Sequence, residues 1–248
     1  MTNVSSFDMP FAKRFVEARQ TLLSQFLPGL RQQLALESAL DAGCGVGYFA
    51  SFLRTMGFAP VNAFDARPEN VTEASRRFSG IQFLCANVED VAVRQLGSAD
   101  LVLAMGLLYH LENPFIAIRN LHALTRKVMI LETVCTPETR PVLYLRDEFE
   151  NETQSLHSVS FYPSEGCVIK MCYRAGFPFL FKSTRFPAHE DFHATISRKR
   201  CRTILVASNV PISNNFLIPT RELFDIPNPL LRGWANMAKK LMQRVHFA

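Results

Sequence analysis

Three closely spaced glycines, in the stretch LDAGCGVGYFA at residues 40–50, constrain the fold more than any other feature of this chain. An apolar run precedes them, Asp41 stands just before Gly43, and a helical pattern follows Gly47. Glycines at alternate positions allow a sharp turn and a close approach of a ligand to the backbone, and the following helix offers free N–H groups. The order strand, acidic residue, glycine turn and helix therefore predicts a nucleotide-binding turn.

Apolar strand-like segments alternate with helical segments from this turn onward. Strands that alternate with helices of about 10–15 residues indicate βαβ units and a mostly parallel sheet covered on both faces. The last two strands are joined without a long helix, which favours an antiparallel hairpin at the sheet edge. After the first strand, strands are predicted at residues 60–66, 81–90, 99–110, 127–134, 177–184 and 201–209, and helices at 68–78, 113–124 and 164–175.

Both ends of the chain are predicted to add helices to this α/β domain. Residues 7–34 carry apolar residues at steps of three and four, and Pro28 with Gly29 is expected to break that helix. A proline-rich stretch follows Asn209 and leads to a basic amphipathic helix. The predicted units are a helical cap at residues 1–36, the α/β domain at 37–209 with a substrate-side insertion at 134–163, and a linker with the terminal helix at 210–248.

Composition and sequence patterns predict a cytoplasmic protein. They do not decide whether the chain binds an anionic partner. There is no run long and apolar enough for a transmembrane helix and no signal-peptide pattern, and the six cysteines lack metal or disulfide spacing. The net charge of +5 comes from the C-terminal third of the chain. That excess indicates either an exposed basic loop or an anionic partner such as nucleic acid.

The glycine turn belongs to a larger pattern. Its spacing differs from the G-x-G-x-x-G of dinucleotide-binding turns, which argues against nicotinamide or flavin binding. Instead, DAGCGVG resembles the first motif of class I S-adenosylmethionine-dependent methyltransferases. Asp65 at the end of the second strand, CANVED at residues 85–90 and AMGLLYHLENP at residues 104–114 follow in the order of that family. The resemblance covers roughly residues 39–209.

The resemblance implies a Rossmann-like doubly wound sheet of seven strands in the order 3-2-1-4-5-7-6, with strand 7 antiparallel. It also implies S-adenosylmethionine as cofactor and S-adenosylhomocysteine as product. Asp41 is expected to face the ammonium group, Asp65 the ribose hydroxyls, and Asn87 with the backbone of Val88 the adenine. The cofactor-binding residues predicted on this basis are Asp41, Gly43, Cys44, Gly45, Gly47, Asp65, Ala66, Asn87, Val88 and Met105, with Gly106 beside Met105.

Methyl transfer from a sulfonium is an in-line displacement, and an oxygen nucleophile must also lose its proton. His110 lies just past the fourth strand and suits a general base or a substrate contact, although it also suits a structural hydrogen bond within the loop. Tyr109 is a candidate for orienting the substrate. His157 and Tyr162, in the insertion, are weaker candidates, and the acidic run RDEFENE at residues 146–152 suits an amine or sugar hydroxyls.

One motif points to a chemistry that the surrounding sequence disfavours. HEDFH, at residues 189–193, matches the H-E-x-x-H of zinc proteases. That chemistry needs both histidines one turn apart on a helix and a third ligand. Pro187 precedes the motif, and the segment links two strands, so no metal site is predicted.

The leading hypothesis is a small-molecule methyltransferase that acts on an oxygen or nitrogen of a metabolite, sugar or natural-product intermediate. A second hypothesis is a tRNA wobble-uridine carboxymethyltransferase, because MGLLYHLENP is similar to the matching stretch of those enzymes and the C-terminal third is basic. A third is a non-catalytic binding protein that keeps the fold. The terminal helix is expected to pack on its own domain or on a second subunit of a homodimer, or to dock on a membrane surface.

Overall fold

The structure is a computed structural model that describes residues 6–148, 155–194 and 201–221. The helices are α1 (Pro10–Leu34), α2 (Tyr48–Thr55), α3 (Pro68–Arg77), α4 (Pro114–Leu124) and α5 (Glu165–Ala175). The strands are β1 (Ala39–Ala42), β2 (Val61–Asp65), β3 (Gln82–Cys85), β4 (Ala99–Met105), β5 (Thr125–Val134), β6 (Leu143–Asp147), β7 (Val159–Pro163), β8 (Phe179–Ser183), β9 (Arg202–Ser208) and β10 (Leu217–Pro219). Short 3-10 helices include Ser6–Asp8, Leu108–His110 and Glu190–Phe192.

One sheet organises the chain, with its strands in the order β10-β8-β9-β5-β4-β1-β2-β3. Strands β1 to β5 pair in parallel, whereas β9 runs antiparallel to both β5 and β8. Without β10, this is the predicted order 3-2-1-4-5-7-6, with β9 as the antiparallel seventh strand. The predicted fold class is therefore confirmed.

The sheet has one strand more than predicted, and this corrects the expected edge hairpin. Strands β8 and β9 do pair antiparallel, but β10 covers β8, so the pair does not form the edge. The prolines after Asn209 indicated a linker, yet Pro219 ends β10 at the outermost position of the sheet. An edge strand tolerates proline because the missing N–H is not needed for a further ladder.

The predicted break at Pro28 is wrong, because α1 runs unbroken from Pro10 to Leu34 with Pro28 inside it. Proline removes one helical hydrogen bond. That loss is outweighed by an apolar stripe buried against the sheet, where each fully buried Leu or Phe contributes about 1.5–3 kcal/mol. The stripe includes Leu23, Phe26, Leu27 and Leu30, which are at most 1% exposed.

Two apolar clusters cover the two faces of the sheet, as a doubly wound fold requires. Helices α1 and α2 pack with one face, and α4 and α5 with the other. Strand β4 is buried along its whole length, so it serves both clusters. The insertion after β5 forms a separate two-stranded sheet of β6 and β7, which was predicted only as a long connection. The predicted terminal helix lies outside the described residues.

Candidate functional site

The glycine turn lies at the carboxyl ends of the parallel strands and has the backbone that only glycine adopts readily. Gly43 and Gly45 have φ angles of +67° and +51°. The Gly43 and Cys44 N–H groups donate to the carbonyl of Phe64 at 2.9 and 3.0 Å, which fixes the turn to β2. A Cβ on Gly43 would lie 2.6 Å from Leu107, and one on Gly45 would lie 2.9 Å from Phe7. At both positions, a larger side chain is therefore disfavoured by the positive φ and by the short contact with a neighbouring side chain.

A cleft opens beside this turn, with about 580 Å³ of unfilled space. It lies where doubly wound folds bind ligands. The structure brings several predicted residues together here, from the ends of β1, β2, β3 and β4. They are Gly43, Gly45, Asp65, Ala66, Asn87, Val88, Gly106 and His110. Arg67, Asn70 and Leu156 also line the cleft, and no motif had pointed to them. Glu89 of CANVED lines it too, although it was not among the predicted contacts.

Asp65 ends β2 and holds the rim of the cleft together. One carboxylate oxygen accepts from the Gly45 N–H at 2.9 Å. The other accepts from the Arg67 N–H at 2.9 Å and from the side chain of Asn70 at 3.1 Å. Since a carboxylate has about four acceptor sites, a ligand hydroxyl either takes the remaining one or displaces Asn70.

Asp41 is the most unusual acid of the site. It is 1% exposed, and its Oδ2 has no hydrogen-bond partner among the described residues. Burial, together with the neighbouring charge of Asp65, raises the pKa of Asp41 to about 7. The carboxylate accepts a backbone hydrogen bond from Ala50, which opposes part of this rise. A buried oxygen without a partner is costly, so a positive charge beside Oδ2 would be favourable.

A second cavity, with about 650 Å³ of unfilled space, lies on the other side of the glycine turn. It shares Gly43, Gly45 and Gly106 with the cleft. Among the predicted residues, Cys44, Met105 and Tyr109 line this cavity, together with Phe7, Phe15, Arg19 and Phe49. Burial raises the pKa of the Cys44 thiol, which therefore stays protonated. The structure thus separates the two predicted catalytic residues, since Tyr109 faces the cavity and His110 the cleft.

A buried charge cluster borders the second cavity. Glu132 on β5 is fully buried and accepts from Arg19 at 2.9 Å and from Arg202 at 2.8 Å. The Arg202 side chain also reaches the Tyr109 hydroxyl at 3.4 Å. Phe15 lies against both guanidinium groups, 4.0 Å from Arg19 and 4.5 Å from Arg202. Apart from Phe15 and Arg19, which are four residues apart on α1, these residues are far apart in the sequence, and together they form no motif.

The insertion contacts the cleft at two points. The His110 Nδ1 hydrogen-bonds with Glu148, which directly follows β6. Arg67 donates to the Ser155 carbonyl at 2.9 Å, so both rims of the cleft are tied to the insertion. Tyr162 on β7 places its ring 6.1 Å from that of Tyr109. His157 is exposed and lines neither cavity, so the structure does not bring it to the site.

The HEDFH motif does not form the helix that a zinc site needs. His189 caps the short 3-10 helix Glu190–Phe192, and His193 follows that helix, where its Nε2 lies 2.9 Å from the Pro187 carbonyl oxygen. No group of three or more metal-ligating side chains occurs within residues 6–148, 155–194 and 201–221. None of the helices in these ranges has the length and apolar character needed to cross a membrane.

Known proteins match part of this chain in sequence. Residues 40–129 match a family described as a methyltransferase domain. The ubiquinone biosynthesis O-methyltransferase of Xanthomonas euvesicatoria pv. vesicatoria (strain 85-10) is 39% identical over 93 residues, which are 36% of this chain and 38% of that protein. That of Xanthomonas oryzae pv. oryzae (strain PXO99A) is 37% identical over 95 residues, 36% of this chain. The chain thus spans 38% of the length of these relatives.

Solved structures match over a longer stretch. The N-terminal domain of EvdMO1 with SAH bound superposes with a TM-score of 0.61 at 18% identity, covering 78% of this chain and 80% of that one. Magnesium protoporphyrin IX methyltransferase (ChlM) from Synechocystis PCC 6803 with bound SAH gives 0.54 at 17% identity, covering 81% and 88%. At these identities the likeness establishes a shared fold.

Proposed function

We propose that this chain carries a class I S-adenosylmethionine-dependent methyltransferase domain. From this premise, we infer that it transfers a methyl group from S-adenosylmethionine to an oxygen of a small molecule. The observation that carries the proposal is the buried carboxylate of Asp41 beside the glycine turn. Its Oδ2 has no hydrogen-bond partner among the described residues. A ligand with an ammonium group next to a nucleoside would complete this site.

Several residues that line the two cavities fit such a cofactor, and Asp41, which lines neither, lies buried beside the glycine turn that the cavities share. Asp41 suits the ammonium group and Asp65 a ribose hydroxyl. Asn87 accepts from the Glu89 N–H at 2.9 Å, which leaves its amide NH₂ for an adenine nitrogen. Arg19, a buried cation on the wall of the second cavity, suits a carboxylate. When bound, S-adenosylmethionine supplies an electrophilic methyl group on its sulfonium.

Oxygen is the proposed acceptor atom for two reasons. The relatives that match residues of this chain are named as O-methyltransferases. In addition, His110 stands in the cleft as a candidate general base, which a hydroxyl acceptor needs and an amine held neutral does not.

Transfer of a labelled methyl group tests this proposal. The protein is incubated with methyl-labelled S-adenosylmethionine and with phenols, catechols, matched anilines or total tRNA, and labelled product is counted. Label in the phenols or catechols supports the proposal. Label confined to tRNA favours the RNA-modifying alternative, and label confined to the anilines contradicts the oxygen assignment.

Substitution of Asp65 with alanine is expected to weaken S-adenosylhomocysteine binding by roughly tenfold or more, because a charge-assisted hydrogen bond to the ligand is worth about 1.5–3 kcal/mol. The Gly45 N–H also loses its acceptor. Calorimetric titration measures the change. Glu69→Ala, an exposed acid on the neighbouring helix α3, is the control and should bind as the native protein does. Equal affinity in Asp65→Ala and Glu69→Ala would contradict the assignment.

A further inference from the structure

The contact between His110 and Glu148 joins the cleft to the insertion. His110 ends the 3-10 helix that follows β4, and Glu148 directly follows β6. The His110 Nδ1 meets Glu148 Oε1, and the two side chains are 12% and 9% exposed. Nearly buried polar groups that face each other across two elements hold a defined geometry, whereas exposed pairs do so weakly.

Glu148 is itself held in place from the other side. Its Oε2 accepts from the Ser155 N–H at 2.8 Å, and its own N–H donates to the Ser158 carbonyl at 2.9 Å. Burial opposes ionisation, but the hydrogen bonds from His110 and Ser155 outweigh it and lower the pKa of Glu148. An ionised carboxylate only accepts hydrogen bonds. In a neutral His110 ring the proton therefore sits on Nδ1, and Nε2 carries a lone pair.

The free lone pair belongs to a ring that lines the cleft. His110 shares the cleft wall with Gly106 and Leu107, directly after the strand end that separates the two cavities. The hydrogen bond that the ring makes among the described residues is the one between Nδ1 and Glu148. The Tyr109 ring lies 4.1 Å from the imidazole and restricts its rotation. His110 thus has one nitrogen fixed and the other available.

We propose that Glu148 is a positioning residue that fixes His110 in its Nδ1–H form, so that Nε2 accepts the proton of a hydroxyl acceptor. This inference rests on the proposed function and specifies its acceptor as a hydroxyl. The acceptor oxygen forms a bond to the methyl carbon while the carbon–sulfur bond breaks and its electron pair stays on sulfur. The hydroxyl proton moves to Nε2, and the resulting imidazolium faces the Glu148 carboxylate before it releases the proton to water.

The imidazole nitrogens of His110 give the first test, which needs no substrate. Nitrogen NMR of histidine-labelled protein at about pH 8, where a free imidazole is neutral, distinguishes the two tautomers. The His110 signals are those missing from His110→Gln. We expect Nδ1–H in the native protein and in Glu148→Gln, whose amide oxygen still accepts, and loss of this preference in Glu148→Ala. An Nε2–H tautomer in the native protein, or no change in Glu148→Ala, would overturn the inference.

Turnover gives the second test, with Asp147→Asn as a control in the exposed neighbouring position. General-base catalysis contributes about 10²–10⁴ in rate, so kcat for a phenol or catechol acceptor should fall by roughly tenfold or more in Glu148→Ala. The KM of the acceptor should change little, and Glu148→Gln should recover most of the rate. An unchanged kcat in Glu148→Ala would contradict the inference.

Calorimetry with S-adenosylhomocysteine separates this inference from the proposed function. Glu148 does not line the cofactor cleft, so Glu148→Ala should bind as the native protein does. Failure of the native protein to bind would overturn the proposed function, while the tautomer measurement would still decide the role of Glu148.

Discussion

Replacement of Asp41 with asparagine is expected to stabilise the protein above pH 7. The pKa of Asp41 rises from its ordinary value of 3.8 to about 7 in the folded state, first because of burial and then because of Asp65. Between these values the folded state binds more protons than the unfolded state, so native stability falls as pH rises through this window. With about 1.4 kcal/mol per pKa unit, the full cost above pH 7 is on the order of 4 kcal/mol. Asparagine cannot ionise and avoids it.

Thermal unfolding at about pH 5 and pH 8 measures this effect. The native protein should lose stability between the two values, and Asp41→Asn should lose less. Asp100→Asn is the control with the opposite sign. Burial disfavours ionisation of Asp100, but hydrogen bonds from Glu37, Arg126 and Ser38 outweigh it and lower its pKa to about 2. That variant should be less stable than the native protein at both values. Identical pH dependence in native protein and Asp41→Asn would contradict the account of Asp41.

The same carboxylate predicts how ligand binding depends on pH. A cationic ligand group favours the ionised form of Asp41. Below pH 7, binding must therefore release the proton from the Asp41 carboxyl group. The affinity for S-adenosylhomocysteine should therefore fall by up to about tenfold per pH unit below 7. In Asp41→Asn the affinity should be weaker and nearly independent of pH in this range. A flat native profile would show that Asp41 does not face the ligand.

Replacement of Glu132 with leucine is expected to destabilise the fold by about 3–5 kcal/mol, because it leaves buried charges without their partner. Glu132 is fully buried between Arg19 of α1 and Arg202 of β9. That loss is a large part of the 5–15 kcal/mol by which a typical domain is stable. Urea unfolding measures it.

Glu73 provides the matched control, since it also lies between two arginines, Arg76 and Arg77, but at the surface. Glu73→Gln should leave the unfolding midpoint close to the native value, because exposed ion pairs contribute little. A second variant that adds Arg19→Met to Glu132→Leu should recover part of the stability, since one unpaired charge is removed. Equal effects of Glu132→Leu and Glu73→Gln would contradict the buried-cluster account.

The sequence predicts the glycine turn and the parallel strands well because their signals are local. The turn needs positive φ at Gly43 and Gly45, and from Leu101 to Met105 β4 is a continuous apolar run, as is typical of a strand buried on both faces. The break at Pro28 failed because local propensity was outweighed by burial of the helix face in the core. All residues of strand β6 are exposed, so the strand lacks the alternation of buried and exposed residues from which it could have been predicted.

The site was predicted only in part because its remaining contacts join distant positions. Arg19 and Glu132 are 113 residues apart, and His110 and Glu148 are 38 apart. No spacing rule connects such pairs before the fold is known. The acidic run of residues 146–152 suggested a substrate contact. In the structure, Glu148 of this run hydrogen-bonds with His110. The position of Phe7 over Gly45 likewise depends on how the chain before α1 lies on the glycine turn.

Calorimetric titration of the native protein with S-adenosylhomocysteine at about pH 8, where Asp41 is ionised, tests the central claim most directly. One binding site of micromolar affinity is expected. Heat of binding that is absent in the native protein would contradict the assignment of the cleft to the cofactor and favour a protein that keeps this fold without the activity.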